Sequence, residues 1–482
     1  MLWKILEVVI LSMSLLVLSP INNLYSKSNA SIIYPSAPPK IELYDASVVN
    51  DEKRWTVNNV HDPAIIKAQN GWYYIYSTDV KAYGIPKPGI QIRKSKDLIN
   101  WRWVGYVFDG DEYIFKGIPE DAFEWSRASN LWAPDVKFMN GKYYLYYAAS
   151  LFGRNQSFIG LATSTNPEGP WKNEGEVIKT RQGDPVNAID PNLCFDERGE
   201  PWLVYGSFWN GIYILKIDKS TGKPLEKGFG INIARRSPSV YGAVEGAYVI
   251  YNPRFKKYYL FVSYDSLSSD YNVRVGRADN ITGPYVDYND NLMTDITLPP
   301  NEVGTKILGG YKFKNDDGWV APGHNSVLVD GDDYYIVHHA RPALNKNWMY
   351  LHIRRIVWTD DGWPVVSPER YAGEKIQEIS KDLVVGTWER IVLDPYVRVQ
   401  TLSTEIKLLN DGKLESQNNK GYWEFKSPNT LKLTWIIDEK GKNYEIETVK
   451  VIPAWDWENW KPTIIFTGLN DKGITVWGKK VE

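Results

Sequence analysis

The sequence predicts an all-β chain: a five-bladed β-propeller followed by a small antiparallel β-barrel. Three observations predict it. A unit of polar residue, apolar strand, tight turn and aromatic strand occurs five times before residue 372. Helical periodicity is almost absent there, and beyond residue 373 the chain changes to short strands joined by hairpin turns. Because a strand–turn–strand unit cannot bury both faces alone, five units are expected to stack radially and close into a ring.

The repeated unit begins each time at a polar residue. These markers are Asp62, Asp135, Asp190, Glu245 and His324, which lie 73, 55, 55 and 79 residues apart. An irregular period of that size is typical of a propeller with loop insertions rather than of a helical solenoid. Since the first strand of each blade lines the axis, three aspartates, one glutamate and one histidine are expected to converge there.

Two long insertions separate the units, at residues 107–129 and 287–320. They are rich in Asp, Glu, Gly and Asn, a composition typical of surface loops. We expect these loops to wall a cleft, with simple tolerance of insertion as the alternative.

The region after the fifth unit predicts a separate barrel, because short strands alternate with hairpin turns such as Asn410-Asp411-Gly412. We place the propeller at residues 40–372 and the barrel at residues 376–482. Trp455, Trp457 and Trp460 are candidates for a carbohydrate-binding face, but core and interdomain packing is the favoured interpretation.

The N-terminus has the pattern of a secretory signal peptide. Lys4 precedes an apolar run over residues 5–18, short for a bilayer span, and Ser28-Asn29-Ala30 is a small-x-small cleavage site. We therefore expect a signal peptide at residues 1–30, cleavage near Ala30, and a secreted protein that has no membrane attachment after cleavage. Because Glu7 interrupts the run, an uncleaved anchor is the alternative.

Composition limits the possible partners. The 482 residues exceed one ordinary core, which favours two domains. A formal net charge of −2 with no long basic run argues against nucleic acid as a partner.

The 21 Trp and 32 Tyr residues mostly suit packing between blades, and a minority near strand ends suit stacking on sugar rings. The single cysteine, Cys194, is interpreted as a small buried hydrophobe. We expect a monomer.

Converging carboxylates point to glycosidic bond cleavage. That reaction needs one carboxylic acid to protonate the leaving oxygen and one carboxylate to act on the other side of the anomeric carbon. A third acid nearby can raise the pKa of the proton donor, since like charges disfavour joint ionisation. An isolated Asp-Pro pair such as Asp62-Pro63 is more often structural. The pattern indicates a catalytic site because acids occur in the same register in four blades, together with His324 in the fifth.

Taken together, the motifs at these markers resemble those of glycoside hydrolase family 43. They are Val60-His61-Asp62-Pro63, Leu131-Trp132-Ala133-Pro134-Asp135, Asn187-Ala188-Ile189-Asp190-Pro191, Ala243-Val244-Glu245-Gly246 and Gly323-His324-Asn325. The resemblance spans essentially the chain after residue 30 and is greatest to the family's extracellular endo-1,5-α-L-arabinanases with an added C-terminal β-barrel. It implies a five-bladed propeller and an inverting, single-displacement mechanism.

The resemblance also implies roles for individual residues. Asp62 matches the general base that activates water, Glu245 matches the general acid, and Asp190 matches the acid that orients Glu245 and raises its pKa. Asp135 is assigned to positioning of the substrate, not to chemistry. The other residues expected to bind the substrate are Trp132, Phe152, Asn187, Ser207, Phe208 and Trp209.

His324 matches a family histidine that holds one hydrated metal ion, suspected to be Ca²⁺, on the propeller axis. Judged from the residues alone, a histidine at a strand start is more often a cap for backbone groups. A single histidine with waters is also an unusual site for a hard cation, which prefers six to eight oxygen ligands.

Three functions remain open. The favoured one is a secreted hydrolase that cleaves internal linkages of plant cell-wall arabinan. The second is another glycosidase of the same architecture, either an exo-acting arabinofuranosidase or xylosidase or a more distant fructan-processing propeller. The long insertion before Trp132 leaves endo versus exo action open. The third is a non-catalytic carbohydrate-binding propeller, which would bind sugar without releasing reducing ends.

Overall fold

The computed structural model describes residues 32–438 and 442–482. The predicted signal peptide at residues 1–30 lies outside the described residues. Residues 33–482 form one compact unit that contains both the propeller and the barrel. Within the described ranges, no helix is long and apolar enough to cross a membrane.

The described residues form thirty strands and two short α-helices. The first part of the chain contains β1 (Ala64–Lys67), β2 (Tyr73–Ser77), β3 (Gln91–Ser95), β4 (Trp101–Tyr106), α1 (Glu120–Ser126), β5 (Trp132–Met139), β6 (Lys142–Ala149), β7 (Ser157–Ser164), β8 (Lys172–Thr180), β9 (Asn192–Phe195), β10 (Pro201–Tyr205), β11 (Ile212–Lys216), β12 (Ile231–Ala234), β13 (Val244–Asn252), β14 (Lys257–Tyr264), β15 (Asn272–Ala278), β16 (Thr305–Leu308), β17 (Tyr311–Lys312), β18 (Trp319–Asp330), β19 (Asp333–Pro342), β20 (Tyr350–Trp358) and β21 (Pro364–Val366). The remainder contains α2 (Lys381–Val384), β22 (Gly386–Val392), β23 (Thr401–Leu402), β24 (Thr404–Leu408), β25 (Lys413–Ser416), β26 (Lys420–Lys426), β27 (Thr430–Ile436), β28 (Tyr444–Asp456), β29 (Lys461–Asn470) and β30 (Thr475–Lys480).

Five antiparallel sheets form the blades of the propeller. Blades I to IV are the four-stranded sheets β1–β4, β5–β8, β9–β12 and β13–β16. Blade V contains β18–β21 and is extended on its inner side by β17 and the parallel strand β23. The aromatic strands are buried because neighbouring blades cover both faces of each sheet: in β6, every residue after Lys142 is buried. The predicted five-bladed architecture is therefore confirmed.

The ring closes between blade V and blade I. The inner strands are β1, β5, β9, β13 and β18; each contacts the next, and β18 contacts β1. Ser326 Oγ donates to the Pro63 carbonyl at 2.7 Å, and the Asp330 carboxylate accepts from Lys67 at 2.7 Å and from Tyr73 at 2.6 Å. These contacts bring the five strand ends to one axis.

The first insertion forms more than surface loops. It contains α1, which packs against blade II, and the Trp125 indole donates to the Ser157 and Thr180 carbonyls at 3.1 and 3.0 Å. The second insertion contributes strands β16 and β17 to blades IV and V. The expectation of loops is therefore wrong for these segments.

The C-terminal strands form a closed eight-stranded barrel in the order β22, β24, β25, β26, β27, β28, β29, β30, with β30 pairing back to β22. Its core is continuous with that of blade V. Trp477 of the barrel, fully buried, meets Tyr311 of blade V edge-on at 5.6 Å between ring centroids. The barrel therefore braces the propeller.

The three tryptophans considered for sugar binding lie at this junction. Trp455 is 6% exposed and packs against Trp460. Trp457 donates from its indole to the Arg370 carbonyl at 2.9 Å, and the Arg370 guanidinium lies 4.0 Å from the Trp457 ring. Packing, rather than a sugar-binding face, is the interpretation that these contacts support.

A buried ionic cluster also joins the two parts. Lys479 of β30 is 0% exposed, and its ammonium lies 3.0 Å from Asp456, 2.5 Å from Glu458 and 3.1 Å from Glu369. Burial and Glu458 raise the pKa of Glu369 well above its ordinary value, whereas Lys479 holds the pKa of Glu458 at about 2 despite burial. The lysine is thus the cation on which this acidic cluster depends.

We expect Lys479→Met to destabilise the protein by about 3–5 kcal/mol, because removal of one partner leaves buried charges uncompensated. Urea unfolding followed by tryptophan fluorescence measures the loss. Lys407→Met, at a lysine that is 53% exposed beside Glu405, is the matched control and should change stability by less than about 1 kcal/mol. Equal effects of the two substitutions would contradict the bracing role.

Candidate active site

A cavity of about 620 Å³ opens where the five inner strands meet. Its volume lies in the range of small-molecule binding sites. Asp135 is the only site residue predicted from the sequence that does not line it. The residues that do are Asp62, Trp132, Phe152, Asn187, Asp190, Ser207, Phe208, Trp209, Glu245 and His324.

The inner strands enter the cavity through residues with positive φ. Asp62, Asp190 and His324 have φ values of 49°, 57° and 47°, which are uncommon for residues other than glycine. Ala133 in blade II and Gly246 in blade IV adopt the same conformation, at 41° and 59°. Strand pairing is irregular at this level in blades II, IV and V. Such bulges re-aim side chains beside active sites.

This shared conformation explains the position of Asp135. Asp62 and Asp190 each precede a proline, and in blade II the residue that precedes the proline is Ala133. Ala133, not Asp135, is therefore the counterpart of Asp62, and Asp135 lies two residues further along its strand. Alignment of the repeats on their prolines, rather than on their acids, would have found this.

The structure places Asp135 between blades instead of in the cavity. It is 1% exposed, and its Oδ2 accepts from the Leu193 backbone N–H at 2.7 Å and from Asn192 Nδ2 at 3.0 Å. Its Oδ1 lies 3.3 Å from Lys137 Nζ, which in turn donates to the Tyr248 hydroxyl at 2.6 Å. The carboxylate thus links blade II to blade III, and substrate positioning is not a role that its location supports.

Four groups hold the Asp62 carboxylate and its backbone. Oδ1 lies 2.7 Å from His61 Nδ1 and 3.1 Å from His324 Nδ1, and Oδ2 accepts from the Thr78 hydroxyl at 2.6 Å. The Asp62 N–H donates to His339 Nδ1 at 3.3 Å. Burial by itself raises the pKa of Asp62, but the charge of His324 and the hydrogen bond from His61 outweigh it and place the pKa well below its ordinary value. Asp62 is therefore ionised at neutral pH.

Arg341 fixes the tautomer of His61. Its Nη2 lies 3.1 Å from His61 Nε2, and its other guanidinium nitrogens donate to two loop carbonyls. Because arginine only donates, His61 Nε2 must accept, so the proton on Nδ1 points at Asp62. His61 stacks on His339 with 3.6 Å between ring centroids, and burial lowers the pKa of both rings. Both histidines are neutral at pH 7.

Two hydroxyl groups hold Glu245. The Ser207 hydroxyl donates to Oε2 at 2.7 Å, and the Tyr271 phenol donates to Oε1 at 2.8 Å. Asp190 lies close by, and its Oδ2 accepts from the Gly246 N–H at 3.0 Å. Burial raises the pKa of Asp190 to about 7, with a further contribution from the charge on Glu245. The Asp190 carboxyl is therefore only partly ionised near neutral pH.

His324 lies among the three acids. Burial lowers its pKa, but Asp62, Asp190 and Glu245 together raise it above the ordinary value. A Cβ at position 246 would lie 3.0 Å from His324 Cγ. Glycine at position 246 therefore allows the positive φ of the backbone and leaves space for the His324 ring.

Comparisons with known proteins identify the family. Residues 56–364 match the model of glycosyl hydrolases family 43, and residues 368–478 match a C-terminal lipocalin-like domain. The chain belongs to glycoside hydrolase family 43. The family resemblance inferred from the sequence is confirmed, and the protein is a glycoside hydrolase.

Relatives of this family 43 chain include both endo- and exo-acting enzymes. It is 33% identical over 468 residues to an extracellular endo-α-(1→5)-L-arabinanase of Thermotoga petrophila, a match that covers 89% of this chain and 94% of the relative. A crystal structure of endo-1,5-α-L-arabinanase from the same organism superposes with a TM-score of 0.77 at 32% identity, over 89% of this chain and 99% of that one. An extracellular exo-α-(1→5)-L-arabinofuranosidase of Cellvibrio japonicus is 33% identical over 327 residues, 64% of this chain and 86% of the relative.

Aromatic side chains surround the mouth of the family 43 cavity. Phe152 is 84% exposed and Trp209 is 38% exposed, so both rings present a face on which a sugar ring can stack. Tyr241, which the sequence analysis did not single out, also lines the cavity and is 88% exposed at a φ of 59°. Among the described residues, only Asn130, at the end of the first insertion, lines the cavity, so the insertions do not form its walls as expected.

Several functional contacts were missed from the sequence. His61 adjoins Asp62 in its motif and so carried a weak signal, whereas the position of Arg341 two residues after His339 on one strand already indicated that its side chain reaches the axis. Thr78 ends the second strand of blade I and was not singled out. Tyr271 lies in the connection between β14 and β15, outside the repeated register, and nothing in the pattern marked it.

Proposed function

We propose that this chain is an extracellular hydrolase that cleaves internal α-1,5-L-arabinofuranosyl linkages of arabinan with inversion. The observation that carries the proposal is the convergence of Asp62, Asp190 and Glu245, from three different blades, on one cavity. The similarity over most of the chain to an extracellular endo-arabinanase supports the substrate and the location.

In the proposed mechanism, Glu245 donates its proton to the glycosidic oxygen as the bond from that oxygen to the anomeric carbon breaks. A water molecule attacks the carbon from the opposite face and gives a proton to Asp62. This inverting scheme needs about 6.5–9.5 Å between the two carboxyl groups, room for the water. His61 and Thr78 hold Asp62 so that an ionised oxygen is available to the water.

The second candidate is exo action, which the similarity to the exo-acting Cellvibrio enzyme favours. Endo action is favoured by the rings at the cavity mouth, since Phe152 and Trp209 offer exposed faces to further sugar units of a polymer.

Incubation with debranched arabinan distinguishes the candidates. An endo enzyme releases a spread of oligosaccharides early in the reaction, whereas an exo enzyme releases one short product from the start. A Glu245→Gln preparation is the control for contaminating activity. Binding of arabinan with no release of reducing ends would instead indicate a carbohydrate-binding protein.

We expect Asp190→Asn to move the alkaline limb of the kcat/KM profile to lower pH. Because the pKa of Asp190 is raised to about 7, Asp190 acquires its negative charge beside Glu245 as the pH rises through neutrality. The variant removes this negative charge, which opposes loss of the proton from the neighbouring proposed acid, so that proton is expected to be lost at lower pH. Asp279→Asn, at an exposed aspartate paired with Lys257, should leave the profile unchanged. An unmoved limb in Asp190→Asn would contradict the role.

We further propose that His324 binds a hydrated Ca²⁺ on the axis. Two features of the site fit a cation: three carboxylates lie around His324, and the amide of Asn325, 3% exposed, has no hydrogen-bond partner among the described residues for either its oxygen or its nitrogen. His324 and the Asn325 oxygen are the groups that would hold the ion, with waters completing its shell. When bound, the ion would supply positive charge that offsets the three carboxylates.

Removal of the ion with EDTA should lower the melting temperature and the rate of arabinan hydrolysis, and added Ca²⁺ should restore both. At free Ca²⁺ about 100 times the dissociation constant, the ion stabilises the folded state by about 2.7 kcal/mol. In His324→Gln the chelator should change neither quantity. A chelator effect of the same size in that variant would place the ion elsewhere.

A further inference from the structure

Tyr271 contacts the proposed acid from the connection between β14 and β15, outside the repeated motifs. The side chain is 1% exposed, and its hydroxyl lies 2.8 Å from Glu245 Oε1. Burial raises the pKa of Tyr271 well above its ordinary value, so the phenol keeps its proton and acts as a donor. Glu245 thus faces a permanent donor on the oxygen that Ser207 does not occupy.

The ring of Tyr271 is held in place by blade V. It lies against His339 with 5.9 Å between ring centroids and an angle of 27° between the planes. A Cβ at position 323 would lie only 2.2 Å from Tyr271 Cδ1, so Gly323 leaves the space that the ring occupies. The Tyr271 N–H donates to the Ser266 carbonyl at 2.9 Å, which fixes the backbone. The phenol is therefore preorganised.

We propose that Tyr271 is a positioning residue for the general acid, and that its O–H both aims the Glu245 carboxyl and stabilises the carboxylate that forms when Glu245 gives up its proton. The inference rests on the proposed role of Glu245. In the step concerned, the proton passes from Glu245 to the glycosidic oxygen, which also receives the electron pair of the broken bond. Tyr271 itself exchanges no atom.

The physical reason is a difference between two states of Glu245. A donor bonds more strongly to a carboxylate than to a neutral carboxyl, so the Tyr271 contact strengthens as the negative charge develops. An interaction that is stronger in the transition state than in the ground state raises kcat and leaves KM largely unchanged. The increase in kcat that Tyr271 provides should therefore be larger for a substrate whose leaving group must be protonated than for one whose leaving group departs without a proton.

The test is Tyr271→Phe, which keeps the ring and removes only the hydroxyl. Two substrates are compared: an α-1,5-arabino-oligosaccharide, whose leaving alcohol needs a proton, and the 2,4-dinitrophenyl glycoside of arabinotriose, whose leaving group does not. We expect kcat on the oligosaccharide to fall by about 10- to 100-fold, the loss for a hydrogen bond to a charged group, with KM within about twofold. On the dinitrophenyl substrate kcat should fall by less than about threefold, since acid assistance is not needed there.

Tyr264→Phe is the matched control. Tyr264 is also fully buried and lies seven positions before Tyr271, but its hydroxyl has no hydrogen-bond partner among the described residues. Its removal should leave both rates unchanged. A Tyr271→Phe enzyme that loses the same factor on both substrates, or loses nothing on the oligosaccharide, overturns the proposal.

Glu245→Gln separates this inference from the function on which it rests. A large loss on the oligosaccharide and a small loss on the dinitrophenyl substrate would support Glu245 as the acid, and the result for Tyr271→Phe then decides the inference alone. Equal losses in Glu245→Gln would remove both the acid assignment and the role of Tyr271.

Discussion

Glu245→Ala should abolish nearly all hydrolysis of arabinan while the protein stays folded. General acid catalysis contributes about 10²–10⁴-fold to such reactions, and alanine has no proton to donate. Loss of the side chain also leaves the Ser207 and Tyr271 hydroxyl groups without their shared acceptor, so a small loss of stability accompanies the loss of activity. Steady-state release of reducing ends measures kcat, and circular dichroism reports the fold.

The control is Glu226→Ala, at an exposed glutamate of blade III. It should hydrolyse arabinan at the wild-type rate. If Glu245→Ala kept a tenth of the wild-type rate, the assignment of the acid would be wrong.

Asp62→Ala should cause a loss of similar size, about 10²–10⁴-fold in kcat, because alanine cannot take the proton of the attacking water. The variant also removes the anion that His61, His324 and His339 surround, so some loss of thermal stability is expected. Rates should therefore be measured well below the melting temperature of the variant.

Asp62→Asn separates proton acceptance from packing. Asparagine keeps the shape of the side chain and can still accept a hydrogen bond from Thr78, but it cannot take a proton. We expect it to be as inactive as Asp62→Ala. A rate near that of the wild type in either variant would show that another group acts as the base.

The sequence was sufficient for the fold and for most of the cavity because a propeller repeats one register. Once five strand–turn–strand units were found, ring closure followed, and ring closure placed Asp62, Asp190, Glu245 and His324 together. The same logic failed at Asp135, because an acid beside a proline matches the motif on either side of the proline. Only the backbone conformation of Ala133 showed which residue occupies the equivalent position.

Contacts that depend on packing between blades were not predictable from the repeat. Arg341 reaches His61 across the closure between blades V and I, and the Tyr271 ring, which donates to Glu245 of its own blade, packs against His339 of blade V. The ionic cluster around Lys479 likewise unites segments that are more than 100 residues apart in sequence. Such contacts require knowledge of which blade faces which.

The central claim is that the propeller delivers Asp62 and Glu245 to opposite flanks of one glycosidic linkage. Proton NMR of the first product formed from linear α-1,5-arabinan tests it most directly, if spectra are recorded before the anomers equilibrate. Single displacement by water between the two carboxyl groups predicts that the β-anomer appears first. Initial formation of the α-anomer would mean a double displacement, and would contradict the arrangement proposed for this site.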